Sequence, residues 1–124
     1  MSELRRGTGR GSGQPEPPHV LVAGSADDDM VRAALAGIEE EGVPSRVVPP
    51  RGDSEAAARA AAQTAPLDVG LAVVDGAVCL THAKFPDGHL VDRVVDASPV
   101  EARLLGHDAA RIVLSVPLHV GNPQ

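Results

Sequence analysis

The chain has 124 residues, a mass of 12.7 kDa and a formal net charge of −6, a size that fits one domain. The 11 Lys and Arg against 17 Asp and Glu argue against a nucleic-acid binder, whose affinity comes mainly from cationic side chains. The apolar residues include 19 Ala and 17 Val but one Phe and no Tyr or Trp, which predicts a finely grained core with few surfaces for stacking bases or sugars.

Residues 1–18 (MSELRRGTGRGSGQPEPP) hold almost nothing to bury and read as a disordered Gly/Pro-rich tail. The fold is expected over 19–120. His19 to Gly24 (HVLVAG) has the length of a buried strand. Ser25 and Asp27 are candidate N-caps for a helix whose first turn holds Asp28 and Asp29. Val31, Ala34, Leu35 and Ile38 recur at helical spacing, Gly42 suits the position after the helix, and Pro44 blocks continuation. Arg46 to Pro49 reads as a second strand near an edge, because prolines follow. Ser54 to Ala65 is the strongest intrinsic helix former. Val69 to Val74 and Ala77 to Ala83 read as strands joined by Asp75-Gly76, a type I′ hairpin signal. Leu90 to Val95 is a weaker strand. Pro99 to Val116 reads as a final helix with Gly106 a weak point inside it.

The order β-α-β-α-β-β-β-α predicts a three-layer α/β sandwich. Its sheet is mostly parallel, of four or five strands, with an antiparallel hairpin and helices on both faces. No apolar run approaches the ~20 residues that span a bilayer. Glycines and prolines follow Arg5-Arg6 where an export signal needs an apolar stretch. The sole cysteine, Cys79, precludes an internal disulfide framework and reads as a small core residue. The expectation is a soluble cytoplasmic protein that contacts neither nucleic acid nor membrane.

Nucleotide motifs are missing. There is no phosphate-loop pattern, and GTGRGSG in the tail precedes the first strand instead of following it. Asp27, Asp28 and Asp29 crowd the first strand-to-helix turn, where they would repel a phosphate. His19, His82, His89, His107 and His119 form no zinc-ligand spacing. Asp87-Gly88-His89 opens like the D-x-H-x-x-G signature of cobalamin-ligating proteins, but Asp92 stands where that signature needs Gly, so a turn is the reading. No catalytic residue is expected, and no cofactor on this chain alone.

Glu39-Glu40-Glu41 is the unusual feature. These acids occupy the last turn of the first helix, at the negative end of its dipole, where like charge is unfavourable. Helical spacing puts Glu40 on one face with Ala33, Ala36 and Gly37. That face is small and smooth, so another backbone can approach it, with one carboxylate at its end for a cation. The plain alternative is a solvated acidic helix end.

GIEEEGVP (37–44), APLDVGLAV (65–73), LTHAKFPDGHLV (80–91) and RLLGHDAARIVLSVPL (103–118) together resemble the small subunit of the diol/glycerol dehydratase-reactivating factor. The dehydratase medium subunit shares that fold. The long tail and the Asp27-Asp28-Asp29 entry depart from the family pattern. The resemblance implies a non-catalytic, chaperone-like subunit that pairs with a large actin-like ATPase subunit. It implies exchange with the medium subunit of a coenzyme-B12-dependent diol or glycerol dehydratase, so that damaged cobalamin leaves. ATP would bind the partner. Magnesium at the subunit interface would be reached by Glu40, with Ala33, Ala36 and Gly37 lining that interface. The setting would be the cytoplasm, free or within a microcompartment. Two other readings stay open: a medium-subunit-like structural component of the dehydratase, or a free-standing α/β domain that binds a small ligand.

Overall fold

The computed structural model of the chain describes residues 17–86 and 89–115. Its elements are β1 (Val20–Ala23), α1 (Asp29–Glu40), β2 (Ser45–Val48), α2 (Ser54–Thr64), β3 (Val69–Val74), β4 (Ala77–His82), β5 (Asp92–Val94) and α3 (Pro99–Ser115). The expected tail, apart from exposed Pro17 and Pro18, lies outside the described residues. So do Asp87-Gly88 of the predicted turn, Val116 at the end of the predicted last helix, and His119.

The five strands form one sheet in the order β2-β1-β3-β4-β5. β1 pairs in parallel with β2 and β3, while β3–β4 and β4–β5 are antiparallel. α1 links β1 to its neighbour β2, and α2 carries the chain from β2 across to β3 on the other side of β1, so both connections between parallel strands are helical crossovers. The β3–β4 link is the two-residue turn Asp75-Gly76, with φ of 51° and 78°. Type I′ turns need positive φ at both central positions, so the Asp-Gly signal is realised.

Strand side chains alternate between two cores. Val20, Val22, Val69, Leu71, Val78 and Leu80 point to the face covered by α1 and α3. Leu21, Ala23, Ala72 and Cys79 point to the face covered by α2. The second layer is thin because the residues that α2 buries are small, Ser54, Ala57, Ala58, Ala61 and Ala62, followed by Ala65. The helix comes so close that a β-carbon at Gly70 of β3 would lie 2.3 Å from the amide nitrogen of Ala62.

The caps differ in detail from the sequence reading. Asp28, not Ser25 or Asp27, caps α1: its carboxylate accepts the Met30 and Val31 amides at 2.7 and 3.4 Å. Ser25 instead donates to the Asp27 carboxylate. Asp53 caps α2 through the Ala56 amide at 2.9 Å. α3 opens with a reciprocal capping box in which Ser98 N donates to Glu101 at 2.9 Å and Glu101 N donates to Ser98 Oγ at 3.2 Å. Gly42 follows α1 at φ 78°, as expected of the glycine after a helix.

Candidate functional site

Two glycines bring α1 and α3 together. A β-carbon at Gly37 would meet the Arg103 carbonyl oxygen at 2.1 Å, and one at Gly106 would meet the Ala34 carbonyl oxygen at 2.1 Å. Gly106 is therefore a crossing point of two helices and not the weak point expected inside α3. The approach lays the C-terminal end of α1 along three residues of α3 spaced four apart, Arg103, His107 and Arg111, which share one face of that helix.

The acidic run and this cationic row interlock. Arg103 grips the Glu40 carboxylate through Nε at 2.9 Å and through Nη2. His107 reaches Glu40 through Nε2 and Glu41 through Nδ1, each at 2.7 Å. Arg111 adds Nε and Nη2 contacts to Glu41, both at 3.1 Å. The Arg103 guanidinium, and after it His107, hold the Glu40 carboxyl below its ordinary range. His107 does most to lower Glu41, with Arg111 adding to it. Arg103 is raised in turn by Glu40. The adverse charge at the α1 terminus is thus answered by a helix more than 60 residues away in the chain. Glu39 is exposed and makes none of these contacts.

The site residues expected from the sequence fall as follows. Glu40 is at the rim, its side chain 37% exposed. Ala33 and Ala36 are half-buried on α1. Gly37 is buried, and the backbone seated against it is that of α3 in the same chain, where the sequence reading placed a second protein. The small residue is needed for the internal helix crossing. Arg103, His107 and Arg111 were missed; their four-residue spacing, opposite in charge to Glu39-Glu40-Glu41, was the available signal. Beside them Val100 and Leu104 of α3 are largely exposed, and with Arg103 and His107 they line a groove of about 290 Å³.

A second groove, of about 400 Å³, opens between α2 and the carboxyl ends of β1 and β2, against Ala23, Val48, Pro49, Arg51 and Ala57. Open α/β sheets often bind ligands at strand carboxyl ends. Here the walls are mainly alanine, with Arg51 and Thr64 the polar side chains, and the Thr64 hydroxyl is turned back on the Ala60 and Ala61 carbonyls of its own helix at 3.3 and 3.2 Å.

The sequence pattern of the family described as dehydratase medium subunit matches residues 17–119. The chain belongs to that family. Two solved structures resemble this family member over most of its length. One is described as "Structure of diol dehydratase-reactivating factor complexed with ADP and Mg2+"; the match has 28% identity and a TM-score of 0.69, and covers 84% of this chain and 97% of that one. The other is "Glycerol dehydratase reactivase", with 28% identity and a TM-score of 0.67, covering 84% and 96%. No curated protein sequence matches the chain. These likenesses support a role for this medium-subunit family member as a reactivase subunit.

Magnesium in the first of those structures raises the question of whether residues here fit such an ion. Among the described residues no group of three or more His, Cys, Asp or Glu side chains is arranged to hold a metal. A hard divalent cation takes about six oxygen ligands. Glu40, at the rim and ionised, can offer such an ion one carboxylate and no more. To reach outward its carboxylate must release Arg103 or His107.

Proposed function

We propose that the chain is the small subunit of a reactivating factor for a coenzyme-B12-dependent diol or glycerol dehydratase. The observation that carries this reading is the near-complete coverage of two reactivase structures by a chain of the dehydratase medium-subunit family. A protein that shares its fold with the medium subunit has the shape to take that subunit's place. On this reading it exchanges with the medium subunit, the dehydratase opens, and damaged cobalamin leaves. The chain works by complementary surfaces and needs no catalytic residue. ATP hydrolysis belongs to a large partner subunit, and the setting is the cytoplasm.

Glu40 is the residue we assign to the partner's magnesium, with the half-buried Ala33 and Ala36 behind it on α1, while Gly37 serves the crossing with α3. Magnesium would supply a positive charge shared across the interface. This chain's part is to present one ionised carboxylate, which Arg103 and His107 hold at the end of α1 until the partner engages it.

The test has two parts. The chain, mixed with the large subunit, ATP, magnesium and fresh adenosylcobalamin, is expected to restore turnover to a glycerol-inactivated dehydratase. No recovery over the large subunit alone overturns the reading. The family name also favours a structural place in the dehydratase itself, which predicts instead that the uninhibited enzyme is inactive without this chain. For the site, Glu40→Gln is expected to weaken binding to the large subunit in magnesium about tenfold or more, the scale of a charge-assisted contact. Glu39→Gln should change little, and chelator should erase the difference. Wild-type binding by Glu40→Gln in magnesium removes Glu40 from the interface.

A further inference from the structure

On the opposite face of the sheet, α2 carries Glu55, Arg59 and Gln63 in one row, four residues apart, along the flank that faces β4 and β5. Glu55 is taken by Arg93 of β5 at 3.4 Å. Arg59 has no such partner among the described residues, and its Nη2 is buried without a hydrogen bond. A buried N–H of a charged group left unpaired is costly, and in folded proteins such groups are normally met by protein, water or ligand.

The space beside Arg59 is a notch of about 20 Å³ lined by Gln63, His82, Ala83 and Phe85. That volume admits one oxygen-sized group. The polar groups around it are mostly donors. His82 Nδ1 accepts the Lys84 amide at 3.1 Å, so the proton of the neutral ring sits on Nε2. Gln63, also in the lining, brings a side-chain amide that can donate or accept. A cation is repelled by Arg59, and a neutral hydroxyl leaves its charge unanswered. Phe85 is 44% exposed and leans on the His82 ring with centroids 6.1 Å apart, an apolar shoulder next to a charged recess.

We propose that Arg59, Gln63 and His82 form a receptor for a single carboxylate supplied from outside the chain, with Phe85 packing on the short apolar stem that carries it. An acidic side chain of a protein partner and a free short-chain carboxylic acid present the same chemistry. The inference does not depend on the reactivase reading.

Sodium acetate is the probe, titrated into the full-length ¹⁵N-labelled chain against sodium chloride at equal ionic strength. Saturable shifts at Gln63, His82 and Phe85 are expected with acetate and not with chloride. Arg59→Gln, which keeps length and hydrogen bonding but loses the charge, is expected to weaken acetate binding at least fivefold. Arg59→Lys should restore it only in part, since the ammonium lacks the planar fork. Equal shifts with chloride, or wild-type affinity in a folded Arg59→Gln variant, overturn the proposal. The source is then read from assembly with the large subunit. Competition by acetate and a fivefold loss in Arg59→Gln indicate a partner's side chain, and unchanged assembly indicates a free acid. Failure of the wild-type chain to assemble counts against the reactivase reading alone, because the acetate titration uses no partner.

Discussion

Gly37 lies so close to Arg103 that the β-carbon of any other residue would sit 2.1 Å from its carbonyl oxygen. Gly106 repeats the relationship in reverse against Ala34. Alanine at either position gains up to ~1 kcal/mol in helix propensity, yet it must push two helix backbones apart in the main core. Gly37→Ala and Gly106→Ala are each expected to destabilise the fold by about 1–3 kcal/mol net. Thermal melts should show a fall of several degrees. A rise in melting temperature in either variant would show that the helices are not in contact there.

Acid should loosen the same helix pair. Glu40 and Glu41 are lowered in the folded chain, by Arg103 and by His107 respectively, from an ordinary value of 4.5. Their contribution is therefore complete above the unfolded value and is lost as pH falls through the lowered folded one. Melting temperature measured from pH 6 down to pH 3 should fall less steeply in a Glu40→Gln/Glu41→Gln double variant than in the wild type. High salt should narrow the gap, since these side chains face solvent. Parallel curves for the two proteins would mean the pairs contribute nothing to folding.

Cys79 should be unreactive in the folded chain. It is fully buried under α2, and burial pushes its thiol above the ordinary 9.0. Its Sγ donates to Ser54 Oγ at 3.3 Å. The thiolate is the reacting form. A thiol reagent at pH 8 is expected to label Cys79 only as fast as the protein opens, and at once in denaturant. Rapid labelling without denaturant would place Cys79 at the surface.

Capping distinguishes the neighbouring Asp27 and Asp28. Asp28→Ala and Asp53→Ala should each cost about 1 kcal/mol, the usual loss for an N-cap. Asp27→Ala should cost clearly less, because its carboxylate faces Ser25 and no helix amide. Equal losses at Asp27 and Asp28 in chemical denaturation would return the cap to the position expected from sequence.

The strands and the hairpin were legible in the sequence because their signals are local. Val69 to Val74 carries its own apolar run, and Asp75-Gly76 sets its own backbone conformation. The site was half legible. Glu39-Glu40-Glu41 announced a misplaced charge, but its answer lies on α3, and pairing between distant helices leaves no mark in a short window. Gly106 misled for the same reason. Helix propensity counts what glycine lacks, while its value here is set by Ala34, 72 positions earlier in the chain. Arg59 gave no signal at all, since an arginine in an alanine-rich helix looks like an ordinary solvated residue until its surroundings are known.

The sheet ends in β2 on one side and the three-residue β5 on the other. Pro44 immediately precedes β2 and Pro49-Pro50 immediately follow it, so an added strand finds no amide donors at either end of that margin. β5 exposes Asp92 and Arg93 and is too short to template a neighbour. Both margins are blunted in the ways that keep sheets from joining edge to edge. Assembly is thereby directed to the helical faces, where side chains choose the partner. Margins of this kind leave a lone copy of the chain little with which to seed a fibre.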